Sequence, residues 1–428
     1  MSDAPFPVRH LLEVTTAIKD GTHGTHRRVA EGVPLLSAKN VTSTGDVVVD
    51  ETDEQISEAD YQELTRAFQL ELGDLLLTIV GTLGRRAVFS GQRVAFQRSV
   101  AYVRPTPTKL LSRFLFHWMG HPAFVAELKR RSNATAQAGL YLGELAKVAL
   151  PVPEMREQGT IAKILDTLDT AIHETEAIIA KLKLVKQGLL HDLLTRGIGA
   201  NGELRPPQAE APHLYKESPL GWIPKEWHAV ELGSITTWAS GGTPNRAVAS
   251  NWIGDIPLLT PKDMKAFELD DATEHISSEA AQAGSRVMPP ETVFIVVRGM
   301  ILAHSFPVVL ARRAMAFNQD IKAVSPGPQV DSEFLARWFV ANSDLFLRRV
   351  TEATHGTKKL DMENLRKVTI ELPPVSEQAG IVAREATIDQ KIKGEAAFLS
   401  KLRTLKSGLM DDLLTGRVRV TPFLEPAA

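Results

Sequence analysis

The stretch KQGLLHDLLTR at residues 186–196 returns as KSGLMDDLLTG at residues 406–416. When residues 153–196 are laid over residues 373–416 at a shift of 220, 17 of 44 positions are identical without a gap. Unrelated sequences of ordinary composition would share roughly three. Further upstream, GVPLLSAKNV at 32–41 matches DIPLLTPKDM at 255–264. The chain is therefore a tandem duplication in which each half ends in the same kind of element.

The repeated element has the period of a long amphipathic helix, because its apolar residues recur seven and fourteen apart in two rows. About 40 residues of helix would be roughly 60 Å long, and a stripe of this kind needs a partner helix to cover it. We expect the two copies to pair antiparallel. The predicted seam residues are Ile161, Leu165, Leu168, Ile172, Ile179, Leu182, Leu189 and Leu193 in the first copy, and Ile381, Ile388, Ile392, Leu399, Leu402, Leu409 and Leu413 in the second.

Lys186 and Lys406 fall on the apolar seam in both copies. A lysine there can extend its ammonium to water at a fraying helix end, or it can contact another subunit. The pattern alone leaves both interpretations open.

Outside the helices each half predicts a mixed domain. Residues 75–80, 100–103, 292–297 and 321–324 have the β-branched content of strands, with Gly81 and Gly299 as turn residues. Residues 109–131 and 331–350 predict helix pairs broken near Gly120 and Asn342. The fold class is therefore α+β, with two mixed α/β domains separated by two long antiparallel helices in a tandem pseudo-repeat. The expected segments are a first domain at 1–150, a central spacer helix at 151–197, a linker at 198–220, a second domain at 221–370, a distal spacer helix at 371–417 and a tail at 418–428, in which residues 418–420 could add an edge strand.

Composition excludes several classes of protein. The chain has no cysteine, which rules out disulfides and thiolate metal sites. It has no apolar run long enough to cross a membrane, and its start lacks the apolar core of a signal peptide, so we expect a cytoplasmic protein without membrane contact. A net charge of -2 argues against coating of nucleic acid through bulk charge. Any DNA binding must come from local patches.

Such patches are present, because charge is segregated along the first half. Residues 44–74 carry ten acidic residues and one basic residue, whereas residues 75–143 carry ten basic residues and one acidic residue, Glu127. The alternative is that these segments are only solvated faces of opposite sign.

The chain resembles the specificity subunits of Type I restriction-modification systems. The resemblance lies in the duplicated helix endings KQGLLHDLLTR and KSGLMDDLLTGRVRV, the Pro-x-x-Glu-Gln helix start at 374–378, Trp222-Ile223-Pro224 and Trp227 before the second domain, and the VPLL and IPLL segments at 33–36 and 256–259. It covers nearly the whole chain. One departure is that the first half begins without a segment similar to residues 222–227.

The resemblance implies a non-catalytic subunit in which two target recognition domains read a bipartite, asymmetric site on double-stranded DNA. It implies two methyltransferase subunits docked on the helices, and restriction or translocase subunits bound through them. S-adenosylmethionine, ATP and Mg2+ would belong to those partners, and this chain would hold no cofactor.

Motif absences agree with a subunit that lacks catalysis. The sequence contains neither the Asn/Asp-Pro-Pro-Tyr/Phe tetrapeptide of amino-methyltransferases, nor GxGxxG after a strand, nor a phosphate-binding GxxxxGK[ST] loop. The alternatives are a DNA-cleaving or DNA-modifying enzyme with an unrecognised active site, and a coiled-coil adaptor that reads no DNA.

Four loop segments recur in both halves with polar residues suited to DNA contact, since Arg, Asn and Gln read base edges while Lys, Thr and His hold phosphate. They are the Gly-Thr loops at 21–28 and 241–246, SAKN and TPKD at 37–40 and 260–263, the segments at 78–86 and 298–304, and the pairs at 97–98 and 318–319. The candidate DNA-binding residues are Thr22, His23, Thr25, His26, Arg27, Arg28, Lys39, Asn40, Thr78, Thr82, Arg85, Arg86, Gln97, Arg98, Thr243, Asn245, Arg246, Lys262, Arg298, His304, Asn318 and Gln319.

Two histidine pairs have spacings that a metal site could use. His117 and His121 stand four apart on a predicted helix, which is a metal-pair spacing, but no third ligand lies nearby in the sequence. His23 and His26 fit a basic loop that touches DNA better than a metal site. We therefore expect no metal site and no catalytic residue in this chain.

Overall fold

The computed structural model describes residues 6–67, 69–132, 139–352 and 356–420. The chain divides into two compact units. The first unit combines residues 1–177 with 397–428, and the second is residues 178–396. Residues 421–428 of the expected tail lie outside the described part of the chain. Within that part, no helix combines the length and apolar character that crossing a membrane requires.

The first unit is built from short strands and helices on the first half of the chain. Its strands are β1 (Val8–His10), β2 (Thr15–Asp20), β3 (Arg28–Val29), β4 (Val33–Leu36), β5 (Gln55–Ile56), β6 (Leu75–Thr78), β7 (Arg86–Val88), β8 (Ala95–Phe96), β9 (Val100–Pro105) and β10 (Ala149–Pro151). Its short helices are α1 (Glu58–Ala67), α2 (Ser112–Met119), α3 (Pro122–Arg131) and α4 (Leu142–Ala146). The sheets have the orders β2-β9-β6-β7, β3-β5-β4-β8 and β1-β10.

The second unit repeats this plan. Its strands are β11 (Tyr215–Ser218), β12 (Gly221–Pro224), β13 (His228–Glu231), β14 (Thr236–Ser240), β15 (Ile256–Leu259), β16 (Glu268–Leu269), β17 (Glu274–Ile276), β18 (Val287–Met288), β19 (Val293–Val296), β20 (Val308–Ala311), β21 (Met315–Phe317), β22 (Ile321–Pro326), β23 (Thr351–Glu352), β24 (Lys358–Lys359) and β25 (Thr369–Leu372). Its short helices are α6 (Leu232–Ile235), α7 (Ser278–Gly284), α8 (Ser332–Ala341), α9 (Ser343–Leu347) and α10 (Met362–Arg366).

The sheets of the two units correspond strand by strand. The order β14-β22-β19-β20 in the second unit matches β2-β9-β6-β7 in the first, and β17-β15-β21 matches β5-β4-β8. In both units the pairing inside the second of these sheets includes a parallel pair, β4 with β8 and β15 with β21. The predicted strands at 75–80, 100–103, 292–297 and 321–324 are found as β6, β9, β19 and β22, and the helix pairs break at Gly120 and Asn342.

The two long helices are α5 (Met155–Thr195) and α11 (Val375–Leu414). In the first unit, Asp169 pairs with Lys406 and Glu176 with Arg403, so the two helices run antiparallel there. In the second unit, Lys186 pairs with Glu385 and Asp389, and the Ile198 N–H just after α5 donates to Glu377 near the start of α11, so the helices run antiparallel there too. All of the predicted seam residues are buried or partly buried. The mixed α/β architecture with two long antiparallel helices is therefore as the sequence predicted.

A buried glutamine fastens the start of each long helix in the same way. The side chain of Gln158 accepts a hydrogen bond from the Leu111 N–H at 2.8 Å and donates to the carbonyls of Lys109 and Pro153 at 2.9 Å. At the equivalent position of the repeat, the side chain of Gln378 makes the corresponding three bonds to Asp331, Gln329 and Pro373. Because buried backbone groups must be paired, each glutamine ties its helix to the loop before α2 or α8.

Each long helix ends at a glycine that lies against an aromatic ring. Gly197 has a φ of 64° and Gly416 a φ of 78°, values that favour glycine. A Cβ on Gly197 would lie 2.4 Å from the ring of Trp227, and one on Gly416 would lie 2.8 Å from the ring of Phe6. The sequence shows no counterpart of residues 222–227 at the N-terminus, yet buried Phe6 occupies the place that Trp227 has in the second unit.

The segment after each long helix folds back onto the helix start. Arg205, in the expected linker, forms an ion pair with partly buried Glu377, which also accepts from Trp227 Nε1 at 3.0 Å. Arg419 makes the equivalent ion pair with buried Glu157 at 2.8 Å. Residues 418–420 form no strand, so that expectation was wrong: the Val418 N–H bonds to the Asp412 carbonyl, and Val420 is buried.

Candidate functional site

In the first unit the predicted polar segments meet at the turn after β8. The Gln97 N–H donates to the Leu36 carbonyl at 2.8 Å, which brings this turn beside residues 37–40. The Arg98 N–H donates to the Thr22 carbonyl at 3.1 Å, and the Ile79 N–H donates to the Ser99 carbonyl at 2.9 Å. Four segments that are far apart in sequence therefore lie side by side at one edge of the unit.

The second unit brings together the corresponding four segments. The Asn318 N–H donates to the Leu259 carbonyl at 3.1 Å, and the Gly242 N–H donates to the Phe317 carbonyl at 3.0 Å. The Asp320 carbonyl accepts hydrogen bonds from the N–H groups of Val297 and Arg298 at 2.8 and 3.2 Å. We call this shared arrangement the convergent face of each unit: residues 21–28, 37–40, 78–86 and 97–98 in the first, and residues 241–246, 260–263, 298–304 and 318–319 in the second.

A glycine is required where the Gly-Thr loop crosses that turn. A Cβ on Gly21 would lie 2.1 Å from the Phe96 carbonyl oxygen, and a Cβ on Gly241 would lie 2.1 Å from that of Phe317. No side chain fits at such a distance, so these glycines allow the loop to lie directly on the end of β8 or β21. The polar residues that follow them are held next to the turn.

A fifth segment joins each convergent face, and sequence reasoning did not find it. In the first unit Gly139 pairs with Val80, and the Leu140 N–H donates to the Ile79 carbonyl at 2.9 Å. In the second unit Lys359 pairs with Arg298, and the Leu360 N–H donates to the Val297 carbonyl. The shared signal is backbone pairing, which leaves little trace in a sequence, although Leu-Tyr at 140–141 and Lys-Lys at 358–359 are visible there.

The fifth segment adds an aromatic ring and a positive charge to these faces. Tyr141 is 68% exposed and lines a cavity of about 550 Å³ in the first unit together with Asp20, His23 and Arg98. In the second unit the pairing of Lys359 with Arg298 sets two exposed cations side by side. Both additions suit a surface that meets nucleic acid, because rings stack on bases and cations hold phosphate.

More than half of the candidate DNA-binding residues present exposed side chains. The exposed set is His23, Thr25, Arg27, Arg28, Lys39, Thr82, Arg98, Asn245, Arg246, Lys262, Arg298, His304 and Gln319, and the partly buried set is Thr22, His26, Arg85, Arg86, Gln97 and Thr243. Within the described residues, the side chains of Arg27, Arg98 and Arg298 make neither a hydrogen bond nor an ion pair. These three guanidinium groups are therefore available to a ligand.

Other exposed candidates already have partners inside the chain. Arg28 bonds to Glu54 at 2.7 Å, and Arg246 forms a two-bond pair with Glu274 at 2.8 and 3.0 Å while lying over the Trp252 ring. His23 bonds to Asp20 at 2.7 Å, and Thr243 donates to Gln319 at 2.8 Å. DNA would have to compete for these groups or use them as oriented pairs.

Three candidates are buried and hold the loops in shape. Asn40 donates to the Val48 carbonyl and to Asp53 and accepts from the Ser37 N–H. Thr78 Oγ1 accepts from the Arg85 N–H at 2.9 Å, and the Asn318 side chain bonds to Asp320. Their side chains satisfy groups within the fold, so a positioning role describes them better than direct contact with DNA.

On the first convergent face, Lys39 forms an ion pair with buried Asp53 at 2.7 Å. Burial raises the pKa of Asp53, but hydrogen bonds from Asn40 and Lys39 outweigh burial, so the pKa lies below its ordinary value. The hydrogen bond to Asp53 in turn raises the pKa of Lys39. Lys39 is therefore a fixed positive charge at the position that Lys262 takes in the second unit.

The charge segregation seen in the sequence is partly neutralised inside the first unit. Arg104 pairs with Glu71 at 2.6 Å and with Asp74 at 2.8 Å, and Arg93 pairs with Glu58. Some basic residues therefore bond to the acidic segment, while Arg98 has no side-chain partner among the described residues.

His117 lies in an ion-pair cluster, and His121 lies apart from it. His117 Nε2 is 2.7 Å from Asp166, and together with Asp169 these side chains place possible ligand atoms within 4.8 Å of one another. Arg113 already binds Asp166, and Lys406 binds Asp169. His121 stacks on Trp118, with its Nε2 3.5 Å from Asp411. Because cations already neutralise both carboxylates beside His117, the cluster favours ion pairing over metal binding.

The lysines on the helix seam also form internal ion pairs. Lys186 lies 2.6 Å from Asp389, and Lys406 pairs with Asp169, the residue that corresponds to Asp389 in the first copy of the repeat. Buried Arg337 adds a bond to Glu385 at 3.0 Å in the second unit. These lysines are thus occupied within the chain and help to set the register of the helix pair.

Comparisons with known proteins agree with this architecture. Residues 27–184 and 224–402 match the family described as the Type I restriction modification DNA specificity domain. The chain is 22% identical over 429 residues to the putative type I restriction enzyme MjaX specificity subunit of Methanocaldococcus jannaschii, covering 97% of this chain and 94% of the relative. It is 29% identical over 281 residues to the EcoR124I/EcoR124II specificity subunit of Escherichia coli, covering 64% and 62%.

Solved structures share the fold. A chain from a study of complex assembly and conformational transition of the type I R-M system has a TM-score of 0.60 at 16% identity, covering 97% of this chain and 98% of that one. The S subunit of the type I restriction-modification system from M. genitalium has a TM-score of 0.54 at 13% identity, covering 96% of each. Since the family match includes both halves of the repeat and most of the chain, the resemblance drawn from the sequence is confirmed: the chain belongs to the family of Type I restriction modification DNA specificity domains.

Proposed function

We propose that this chain is the DNA-recognising specificity subunit of a Type I restriction-modification enzyme, in which each unit reads one half of a bipartite site on double-stranded DNA. The observation that carries the proposal is the convergent face. The same loops meet through the same backbone bonds in both units, while the side chains that they present differ. Shared loops suit a common way of approaching DNA, and different side chains suit different half-sites.

Equivalent positions on the two convergent faces carry the same residue in one place and different residues in another. Lys39 and Lys262 follow the end of a buried strand in each unit, as a phosphate contact would need. At the turn, however, the first unit presents Gln97 and Arg98, while the second presents Gln319 after buried Asn318. The two half-sites should therefore differ, which makes the complete site asymmetric.

The chain itself acts in recognition, and the chemistry belongs to partner subunits. We propose two methyltransferase subunits bound to this chain, with restriction or translocase subunits bound through them. S-adenosylmethionine, ATP and Mg2+ would be used by those partners in the cytoplasm. Support comes from the motifs that the sequence lacks and from relatives named as specificity subunits of type I restriction enzymes.

Docking of two like partners is supported by exposed apolar residues that the duplication repeats. Ile178 and Val185 on α5 are 46% and 47% exposed, and the corresponding residues on α11, Phe398 and Leu405, are 51% and 50% exposed. In each pair the residues are seven apart and share one helix face. We propose that these repeated pairs contact the methyltransferase subunits, because the predicted seam residues are covered within the chain.

A domain exchange tests the reading function. In a host that carries this chain with its methyltransferase, methylated adenines are mapped across the genome before and after residues 221–370 are replaced by the equivalent domain of a relative. The expected result is a change in one half-site with the other unchanged. A change in both half-sites, or sequence-independent methylation, would contradict the proposal.

The alternative enzyme function has a direct test with the purified chain. Incubation of the chain alone with DNA, Mg2+ and S-adenosylmethionine is expected to give neither cleavage nor methyl transfer. Turnover by the isolated chain would favour an unrecognised active site.

A further inference from the structure

Arg86 differs from most other partly buried arginines of this chain. Among the described residues, the arginines that are buried or partly buried have a carboxylate within 4 Å, with Arg85 and Arg86 as the exceptions. Arg86 donates from Nε to the Phe116 carbonyl at 2.6 Å and lies 4.7 Å over the Phe116 ring. Its two terminal nitrogens have no hydrogen-bond partner within the described residues.

The fold makes room for this guanidinium. A Cβ on Gly120 would lie 1.9 Å from an Arg86 terminal nitrogen, so a side chain at the end of α2 would displace the guanidinium. Burial lowers the pKa of Arg86 to about 10, because the charged guanidinium is largely removed from water. At neutral pH the group is still a cation, and leaving its terminal N–H groups desolvated without an acceptor is costly.

The Arg86 guanidinium lines a small polar cavity in the first unit. The cavity has a volume of about 220 Å³ and is lined by Ser43, Thr44, Arg86, Arg403 and Lys406 among others. Arg403 and Lys406 are paired with Glu176 and Asp169, which also line it. Three cations and two carboxylates therefore line the cavity, which gives it a net charge of one positive. Ser43 and Thr44 add two hydroxyl donors.

The equivalent place in the second unit lacks the unpaired guanidinium. Leu77 pairs with Arg86 across β6 and β7, and the corresponding Ile295 pairs with Val308 across β19 and β20. Valine therefore replaces Arg86, and the adjoining cavity of about 260 Å³ is lined by apolar side chains, including Phe267 and Val308, together with Lys186, Lys265, Arg337 and Glu385. Lys186 and Arg337 both form ion pairs with Glu385. The unpaired guanidinium is a feature of the first unit and not a requirement of the repeated fold.

We propose that the Arg86 cavity is an anion site that binds one phosphate group. A guanidinium with free N–H groups, two further cations and two hydroxyls match the acceptor oxygens of phosphate better than those of any neutral ligand. The phosphate can belong to the backbone of bound DNA or to a free phosphate compound. The binding chemistry is the same for both sources.

Calorimetric titration of the full chain with inorganic phosphate, without DNA, tests the site. Sodium chloride at matched ionic strength serves as the background. Saturable binding of one phosphate is expected, with affinity reduced at least tenfold in Arg86→Gln and also in Arg403→Gln, which is exposed and leaves the packing around Phe116 untouched. Lys183→Gln is the matched control, because Lys183 occupies the place on α5 that Arg403 has on α11, and its affinity should be unchanged. Absence of saturable binding by the wild-type chain, or wild-type affinity in both Arg86→Gln and Arg403→Gln, overturns the proposal.

A second titration with duplex DNA identifies the source of the phosphate. If saturating phosphate weakens duplex binding by the wild-type chain more than by Arg86→Gln, the DNA backbone supplies the group. If both chains respond alike, a free phosphate compound occupies the site. Because the first titration contains no DNA, failure of the anion site leaves the DNA-reading function untouched, and loss of DNA reading leaves the anion site testable.

Discussion

Arg98 and Arg298 are exposed, form no ion pair with any described residue and lie on the convergent faces of different units. A guanidinium that contacts phosphate displaces a counterion from DNA, so its loss lowers the dependence of affinity on salt. We expect Arg98→Ala and Arg298→Ala each to weaken DNA binding and to reduce the slope of log K against log salt by about one. Arg156→Ala, an exposed arginine on the first turn of α5, should change neither value. An unchanged slope in both face variants would remove these arginines from the interface.

His117 gives a pH dependence whose direction follows from its burial. Burial lowers the pKa of His117 to about 4, although the bond to Asp166 opposes the shift. The unfolded chain takes up this proton near pH 6.5, so between pH 6.5 and 4 the unfolded state holds more protons than the folded state. Stability should therefore fall as pH falls through this window, by about 3 kcal/mol in total for this group.

The measurement is the free energy of unfolding of wild type and His117→Gln between pH 4 and 7. Glutamine can still donate to Asp166 but does not titrate. The difference between the two proteins should grow steadily above pH 4 and level off near pH 6.5. A difference independent of pH would mean that His117 is not held neutral.

Residue type predicts which polar side chains could contact DNA, and the structure adds which of them are exposed and which bond within the fold. Arg98 and Arg298 were identified by residue type and position. Asn40 and Thr78 have equally suitable chemistry, but their side chains already form hydrogen bonds with backbone groups of their own loops. A sequence does not reveal which donors a loop needs for itself, because that depends on the path of the backbone.

At the scale of elements, the long helices were predictable because their period of seven is repeated in two copies. The pairing of the two helices was predictable too, since the apolar stripe of one helix must be covered by the apolar stripe of another. The fifth segment of each convergent face was not, because Gly139 and Lys359 join through single backbone bridges. Such pairing depends on chain direction and leaves no side-chain pattern.

The repeated exposed pairs on these helices lead to a prediction of stoichiometry. Val185→Asp on α5 and Leu405→Asp on α11 should each abolish one of two methyltransferase docking sites, because a carboxylate in an apolar contact is strongly unfavourable. Native mass spectrometry of complexes should show two partner subunits on the wild type, one on either single variant and none on the double variant. Thr404→Asp, a neighbouring exposed position, should keep both. Two partners on the double variant would place docking elsewhere.

At the scale of the whole molecule, the duplication predicted two similar domains but not the way the chain divides. Residues 397–428 belong with residues 1–177 in one unit. Phe6 against Gly416 and Arg419 against Glu157 repeat what Trp227, Gly197, Arg205 and Glu377 do in the second unit. In the sequence, only Glu157 with Glu377 and the shared helix ending are visible as repeats. The packing of the N-terminal residues against the C-terminal segment therefore could not be predicted by comparing the two halves.

The chain passes from one unit to the other twice, and both crossings lie inside a helix, α5 at residues 177–178 and α11 at residues 396–397. We therefore expect the helices to set the unread gap between the two half-sites. Inserting four residues after Glu176 and four after Ala396 adds about one turn and roughly 6 Å to each helix, and the apolar seam shifts little in phase. At about 3.4 Å per base pair the gap should lengthen by one or two base pairs, with the half-sites unchanged. Inserting two residues at each place would swing the seam by over half a turn and should abolish activity. Genome-wide mapping of methylated adenines in hosts carrying each variant measures both outcomes, and an active four-residue variant with an unchanged gap would show that other parts of the complex set the spacing.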